Sequence, residues 1–334
     1  MNNSSKPFLF SIFLTAFIDM LGIGIIIPII PAVFYSSEAL HFQGINTENE
    51  IRWAYCLLMA SFSFFLFFGA PILGGLSDRF GRKKIILISI IGTAIGYSLF
   101  SVAMLWKSLP FLYLSRIIPG FFGGSLSVLF SAISDVSSPE DKPKNFGLVG
   151  TAFGLGFVLG PAIGGILSDK SIVSWFDLTT PFVFAALLSV LNFILVFIYF
   201  KETSTSFKHS KLTLFKGIEN IRKAFSAKNL RVLFSISFLN TLGFSFFTQF
   251  FAVFMYQKFN ASQKTIGFIF LWVGLWLIFT QGYLIRIVSK RWAPNQIIPK
   301  TMLIMGLAII CIAFPNAIWG VLICNFFIAI SQGL

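Results

Sequence analysis

The chain has 334 residues; 56% of them are Ala, Val, Ile, Leu, Met, Phe, Trp, Tyr or Cys, only 11% are charged, and the mean hydropathy is +0.86. Soluble domains carry about 25% charged residues, so these values exclude a soluble protein and imply a chain whose solvent is lipid. The 25 Lys and Arg against 12 Asp and Glu give a net charge of +13, but the cations sort by loop instead of forming a nucleic-acid patch, and no nucleic-acid partner is expected.

In chain order, apolar runs lie near residues 8–34, 52–77, 84–106, 109–135, 145–168, 181–200, 231–256, 264–287, 297–314 and 316–334. Each approaches the roughly 20 residues that cross a bilayer as a helix. Strand-like alternation is absent, which excludes a membrane barrel. The expected fold class is an all-α polytopic membrane protein of about ten spans. The first run is too long for a signal-peptide core and stays as span one. Alternate loops carry nineteen Lys and Arg on the side of the N-terminus and five on the other (Arg52, Lys107, Lys170, Lys258, Lys264), with Arg116 inside a span. The positive-inside rule then puts the N-terminus in the cytoplasm.

The longest connection carries Lys208, Lys211, Lys216, Arg222, Lys223 and Lys228. It divides the chain into an N-terminal six-helix bundle (1–200), a basic cytoplasmic linker (201–230) and a second, partial bundle (231–334). Residues Leu212 to Phe225 fit either an interfacial amphipathic helix on anionic lipid or a solvated tether. Cys56, Cys311 and Cys324 lie in apolar runs and read as small hydrophobes, while His41 and His209 lie in loops. No metal site, cofactor or enzymatic constellation of nucleophile and base is expected.

Four strings carry chemistry. After span two comes Gly74-Gly75-Leu76-Ser77-Asp78-Arg79-Phe80-Gly81-Arg82-Lys83-Lys84. Gly75 and Gly81 permit close approach and a tight turn, and Asp78, Arg79, Arg82 and Lys83 can form charge-assisted contacts that latch one conformation, with Asp135 as a partner for Arg82. The plainer reading is a topology signal. A degraded echo, Gly282 to Arg291, follows span eight and keeps the glycine, the arginine and the closing basic pair but replaces the acid by Ile285. Span four contains Arg116-Ile117-Ile118-Pro119-Gly120, then Gly123, Gly124, Ser127, Ser131 and Ser134. A guanidinium inside a span faces a cavity or partner, or snorkels to an interface, and the small residues form one weakly polar face suited to a wall shared with water. Span five holds Gly156, Gly160, Pro161, Gly164 and Gly165, a string that combines close-packing glycines with a helix-bending proline.

Span one contains Asp19-Met20-Leu21-Gly22-Ile23-Gly24, with Pro28 and Pro31 beyond. Asp19 is the one acid deep in an apolar run, and a carboxylate there can trade a proton with each side of the membrane in turn. A packing role bonded to a neighbouring hydroxyl is the alternative. A direct ion pair with Arg116 is not expected from their depths.

Together these strings resemble the major facilitator superfamily, and within it the drug/proton antiporters of tetracycline-exporter type. The span-five string matches a signature that marks exporters in that superfamily. The resemblance implies a fold of two six-helix bundles, with spans one, four, seven and ten lining a central cavity. Arg116 and the span-seven stripe Asn240, Thr241, Ser245, Thr248 and Gln249 then become candidates for the cavity wall, against a reading in which they only pack. The chain stops within the tenth of twelve expected spans, so a C-terminal truncation is expected. It departs from the family at Gly96 and Met305, where tetracycline exporters carry acids, leaving Asp19 as the single coupling candidate. The implied activity is proton-driven efflux of drug-like amphipathic molecules by a monomer whose partners are substrate, protons and the bilayer. A metabolite or sugar facilitator and a non-transporting membrane protein are the alternatives.

Overall fold

The structure, a computed structural model, describes residues 5–35, 42, 45, 47–204, 216–226 and 231–334. The described residues contain α-helices α1 (Ser5–Tyr35), α2 (Glu48–Phe80), α3 (Arg82–Trp106), α4 (Leu109–Phe122), α5 (Ser125–Val136), α6 (Lys142–Leu167), α7 (Thr180–Tyr199), α8 (Lys216–Ser226), α9 (Arg231–Phe259) and α10 (Gln263–Phe279). A π-helical turn, Thr280–Leu284, joins α10 to α11 (Ile285–Arg291), and α12 (Pro294–Cys311) and α13 (Ile318–Gly333) follow. His41 and His209, and the Leu212 end of the expected linker helix, lie outside the described residues.

Local chemistry sets the helix starts. Thr47 and Glu50 form a reciprocal capping box at α2, and Ser262 accepts from the Thr265 amide at α10. Asp177 accepts from the amides of Thr179 and Thr180 at the head of α7, at 2.8 and 3.0 Å. Burial pushes the Asp177 carboxyl up, but these bonds outweigh it and hold it below the ordinary range.

The sequence implies about ten spans; eight segments among the described residues are long and apolar enough to cross a membrane. The last two helices are shorter. At 16 residues, α13 is only about 24 Å long, less than the roughly 30 Å of a hydrocarbon core. Spans four and eight are interrupted. The α4–α5 break falls at Gly123 and Gly124, where a Cβ on Gly124 would sit 2.5 Å from the Ala70 amide nitrogen of α2.

Three apolar clusters organise the packing. One gathers Ile25, Ile29, Leu58, Phe100, Leu112 and Phe182 from α1, α2, α3, α4 and α7. Another gathers Ile12, Leu73, Ile86, Leu129, Val149 and Val196 toward the basic face, the side bearing the α2–α3 and α5–α6 turns. A third joins Phe251, Met255, Ile266, Phe270, Met305 and Ile328 of the later helices. Large apolar residues such as Phe64, Phe197, Leu239 and Ile310 point outward, the arrangement lipid permits and water does not. Between helices in lipid there is no hydrophobic driving force, so shape fit decides association.

Candidate functional site

Asp19 sits midway along α1, and its carboxylate accepts a hydrogen bond from Ser125 Oγ at 3.2 Å. The glycines after it explain what surrounds it. A Cβ on Gly22 would overlap the Tyr97 hydroxyl, so the bare backbone lets the Tyr97 ring of α3 reach α1 within one turn of Asp19. Tyr97 is 3% exposed and lies within electrostatic range of both Asp19 and Arg116. In the sequence its signal is only a tyrosine in mid-span. Its neighbour Gly96 packs onto Pro119 of α4 so tightly that a Cβ would overlap the proline ring. That position has no room for an acid.

Arg116 does not snorkel. It is 4% exposed, lies over the Phe62 ring at 4.6 Å, and its Nε and Nη1 have no hydrogen-bond partner. Among the described residues no carboxylate lies within 4.0 Å of it. The small-residue face beyond it packs rather than lining water: a Cβ on Gly120 would fall 2.6 Å from the Phe62 carbonyl oxygen, and Ser127 Oγ donates to Ala70 O at 3.1 Å. Spans two and four meet there backbone to backbone.

The span-seven stripe does not present one wall. Asn240 lines a cavity of about 180 Å³ with Ser237, Met305 and Ser331, inside the later helices. Thr241 and Ser245 are exposed, Thr248 Oγ1 donates to Ser245 O at 3.1 Å, and the Gln249 carbonyl accepts from the Tyr55 hydroxyl of α2 at 2.9 Å. Phe251 is core.

At the basic face the loop motif is assembled around Arg82, which is 8% exposed. Its guanidinium pairs with Asp78 and, at 3.2 Å, with Asp135, and donates to Ser77 Oγ at 2.6 Å. Lys83 Nζ donates to Phe197 O, and Arg79 lies over the Phe80 ring. Gly75 is buried in α2, and Gly81 has φ +99, a left-handed value that costs an L side chain strain. That turn exposes the head of α3 to Glu202, whose carboxylate accepts from the Arg82 and Lys83 amides at 2.8 and 3.1 Å. Glu202 was not anticipated from sequence, where it reads as one more linker charge. In the echo, Arg286, Lys290 and Arg291 are exposed.

On the latch reading of this string, Asp78→Asn is expected to lower the transport turnover that the family resemblance implies severalfold with near-normal substrate affinity, since the lost contact would bias conformations instead of touching substrate. Unchanged turnover in a flux assay would reduce the string to a topology signal.

The span-five string does two jobs. Gly156, Gly160 and Gly164 face α1: a Cβ on Gly156 would lie 2.6 Å from Phe17 O, and one on Gly160 2.7 Å from Leu21 O, while Gly164 meets the Ile25 carbonyl as tightly. The Pro161 ring still meets Gly24 of α1, while its carbonyl and Gly165 face α10. The Pro161 carbonyl abuts Gly267, and a Cβ on Gly165 would lie 2.5 Å from Gln263 O. Phe157 meets the Phe270 ring edge-on nearby. One helix thus fits backbone to backbone against both the early and the late helices, toward the face opposite the basic one.

The profile of the Major Facilitator Superfamily matches residues 12–334. The tetracycline resistance protein, class H, of Pasteurella multocida is 30% identical over 317 residues, covering 93% of this chain and 74% of that protein. The quinolone resistance protein NorA of Staphylococcus aureus is 27% identical over 330 residues, 97% of this chain and 78% of its own length. The crystal structure of the human organic anion transporter MFSD10 superimposes with a TM-score of 0.72 at 20% identity, over 100% of this chain and 84% of the other, a likeness of fold.

Proposed function

Since the chain belongs to the Major Facilitator Superfamily, an integral membrane transporter and not an enzyme, we propose that it expels drug-like amphipathic molecules in exchange for inward-moving protons by alternating access. The observation that carries this is the span-five exporter string seated between α1 and α10. The resistance proteins it resembles, named for tetracycline and quinolones, support efflux as the direction. The basic face is cytoplasmic, in a bacterial plasma membrane, and the working unit is a monomer. Asp19 is the proton-coupling group, held by Ser125 and flanked by Tyr97. Residues 1–200 and 231–334 move as two bundles about the basic linker. The crowding of Gly96 against Pro119 supports a coupling inventory without a span-three acid, and hence a substrate chemistry other than that of the tetracycline exporters.

The test uses everted vesicles energised by respiration, with a fluorescent lipophilic cation as substrate. Accumulation that a protonophore collapses is expected. Equilibration insensitive to the protonophore would favour a facilitator.

A further inference from the structure

Beyond the span-five glycines, the early and late helices are joined by charge. Lys264, in the first turn of α10, places Nζ 3.2 Å from Asp169 Oδ2 in the α6–α7 turn. The pair borders a polar cavity of about 550 Å³ opposite the basic face, shared with Lys170, Asp177, Tyr256 and Gln263. Both partners are held in place by their own elements. Asp169 Oδ1 accepts from the Ser171 amide at 2.9 Å, and Lys264 follows the Ser262 cap of α10. Their side chains are 22% and 38% exposed.

We propose that Asp169 and Lys264 form a latch across the two bundles that holds the outer side of the transporter closed and must break each time the cavity opens outward. The geometry gives it leverage: Gly165 and the Gln263 backbone are in close contact beside it, so separating α6 from α10 there pulls the ion pair apart. This rests on the alternating-access reading but not on the identity of the substrate or on the coupled ion.

The latch is insensitive to ordinary acidification. Hydrogen bonds from Ser171, with a further contribution from Lys264, hold the Asp169 carboxyl below its usual range. A depressed acid contributes its stabilisation above its unfolded value and loses it only as pH falls through the folded one, so the pair persists from pH 8 to pH 5. The other charged groups facing it are Lys170 and Asp177, the latter also held low. Acid outside therefore does not open this gate.

The experiment places a reporter cysteine at Ser245→Cys in the chain with Cys56, Cys311 and Cys324 replaced, and measures labelling by an impermeant maleimide from each side of oriented vesicles. Asp169→Asn and Lys264→Gln should each raise labelling from the outer side by roughly 2- to 5-fold, the modest effect of a part-exposed pair. The exchange Asp169→Lys with Lys264→Asp should restore the parental rate, and raising salt to about 1 M on the unsubstituted pair should mimic its loss. Labelling from the basic side reports folding. Unchanged outer labelling in both single variants and at high salt overturns the latch, as does an exchange variant that labels as fast as the single ones. Transport by the parent chain is scored separately, so failure of the latch leaves the efflux reading standing and the reverse holds too.

Discussion

Replacing Asp19 by Asn is expected to abolish proton-driven efflux while the protein still inserts and folds. Asn has the same size and keeps an oxygen that can accept the 3.2 Å bond from Ser125 Oγ, so packing between α1 and α5 is preserved. What it cannot do is change charge. A transporter that couples two fluxes needs one group whose occupancy by a proton alters its interaction with substrate, and by linkage the proton and the substrate then shift each other's binding equally. With that group neutral at every pH, gradient-driven flux should fall by on the order of 100-fold or more, the usual scale for a lost proton-transfer group, and substrate binding should lose its pH dependence. Binding titrations across pH, with proton release followed by an indicator dye, measure both. A variant that pumps and releases protons normally would move the coupling site elsewhere. One that fails to accumulate would assign Asp19 to packing.

Two valines placed five residues apart should behave oppositely. Gly160→Val drives a side chain into α1, where a Cβ already falls 2.7 Å from Gly24 Cα and from Leu21 O. Neither is the tip of a flexible side chain, and α1 and α6 fall in the same bundle of the division proposed above, so the overlap has no outlet. Overpacking of this kind costs about 1–3 kcal/mol, and poor accumulation with a lowered melting temperature is expected. Gly165→Val meets Gln263 O at 2.5 Å and Lys264 Cα at 2.9 Å, but these lie on α10, in the other bundle of that proposed division. The strain can be relieved by parting the bundles, so the variant should accumulate and shift toward the outward-open form. A bias of about 1–3 kcal/mol corresponds to roughly a 5- to 150-fold change in the ratio of states. Outer-side labelling of a cavity cysteine reads this ratio. A folded Gly165→Val with the parental ratio would show that this contact does not gate.

How much of the fold is legible in the sequence depends on what lipid conceals. The spans were legible because uninterrupted apolar length is itself the signal, and the loop motif because Asp78, Arg82 and Asp135 are charges in a chain that has few. Which face of each span packs was not legible. In water a helix advertises its buried side by contrast with a polar one; in lipid both sides are apolar, so Phe251 in the core and Phe246 on the outside carry the same signal. For that reason the glycine and serine face of span four looked fit for a watery wall, whereas it seats α2. Loop acids are hidden in another way. A topology count takes only Lys and Arg, so Glu202 and Asp169 give no hint there that one caps α3 and the other reaches across to α10.

The π-helical turn at Thr280–Leu284 determines where the second cluster of cations points. Thr280 is fully buried, with its hydroxyl donating to Trp276 O at 2.7 Å, and Gly333 packs against its Cβ. A π turn accommodates one residue more than the α-helical turn it replaces, so everything beyond it is displaced by one residue, about 100° around the axis. Arg286, Lys290 and Arg291 therefore do not continue the face of α10 that meets α6. The azimuth of the second basic loop is fixed by a single surplus residue upstream of it, and two chains with identical cations there but different counts in this turn would present them to different surroundings.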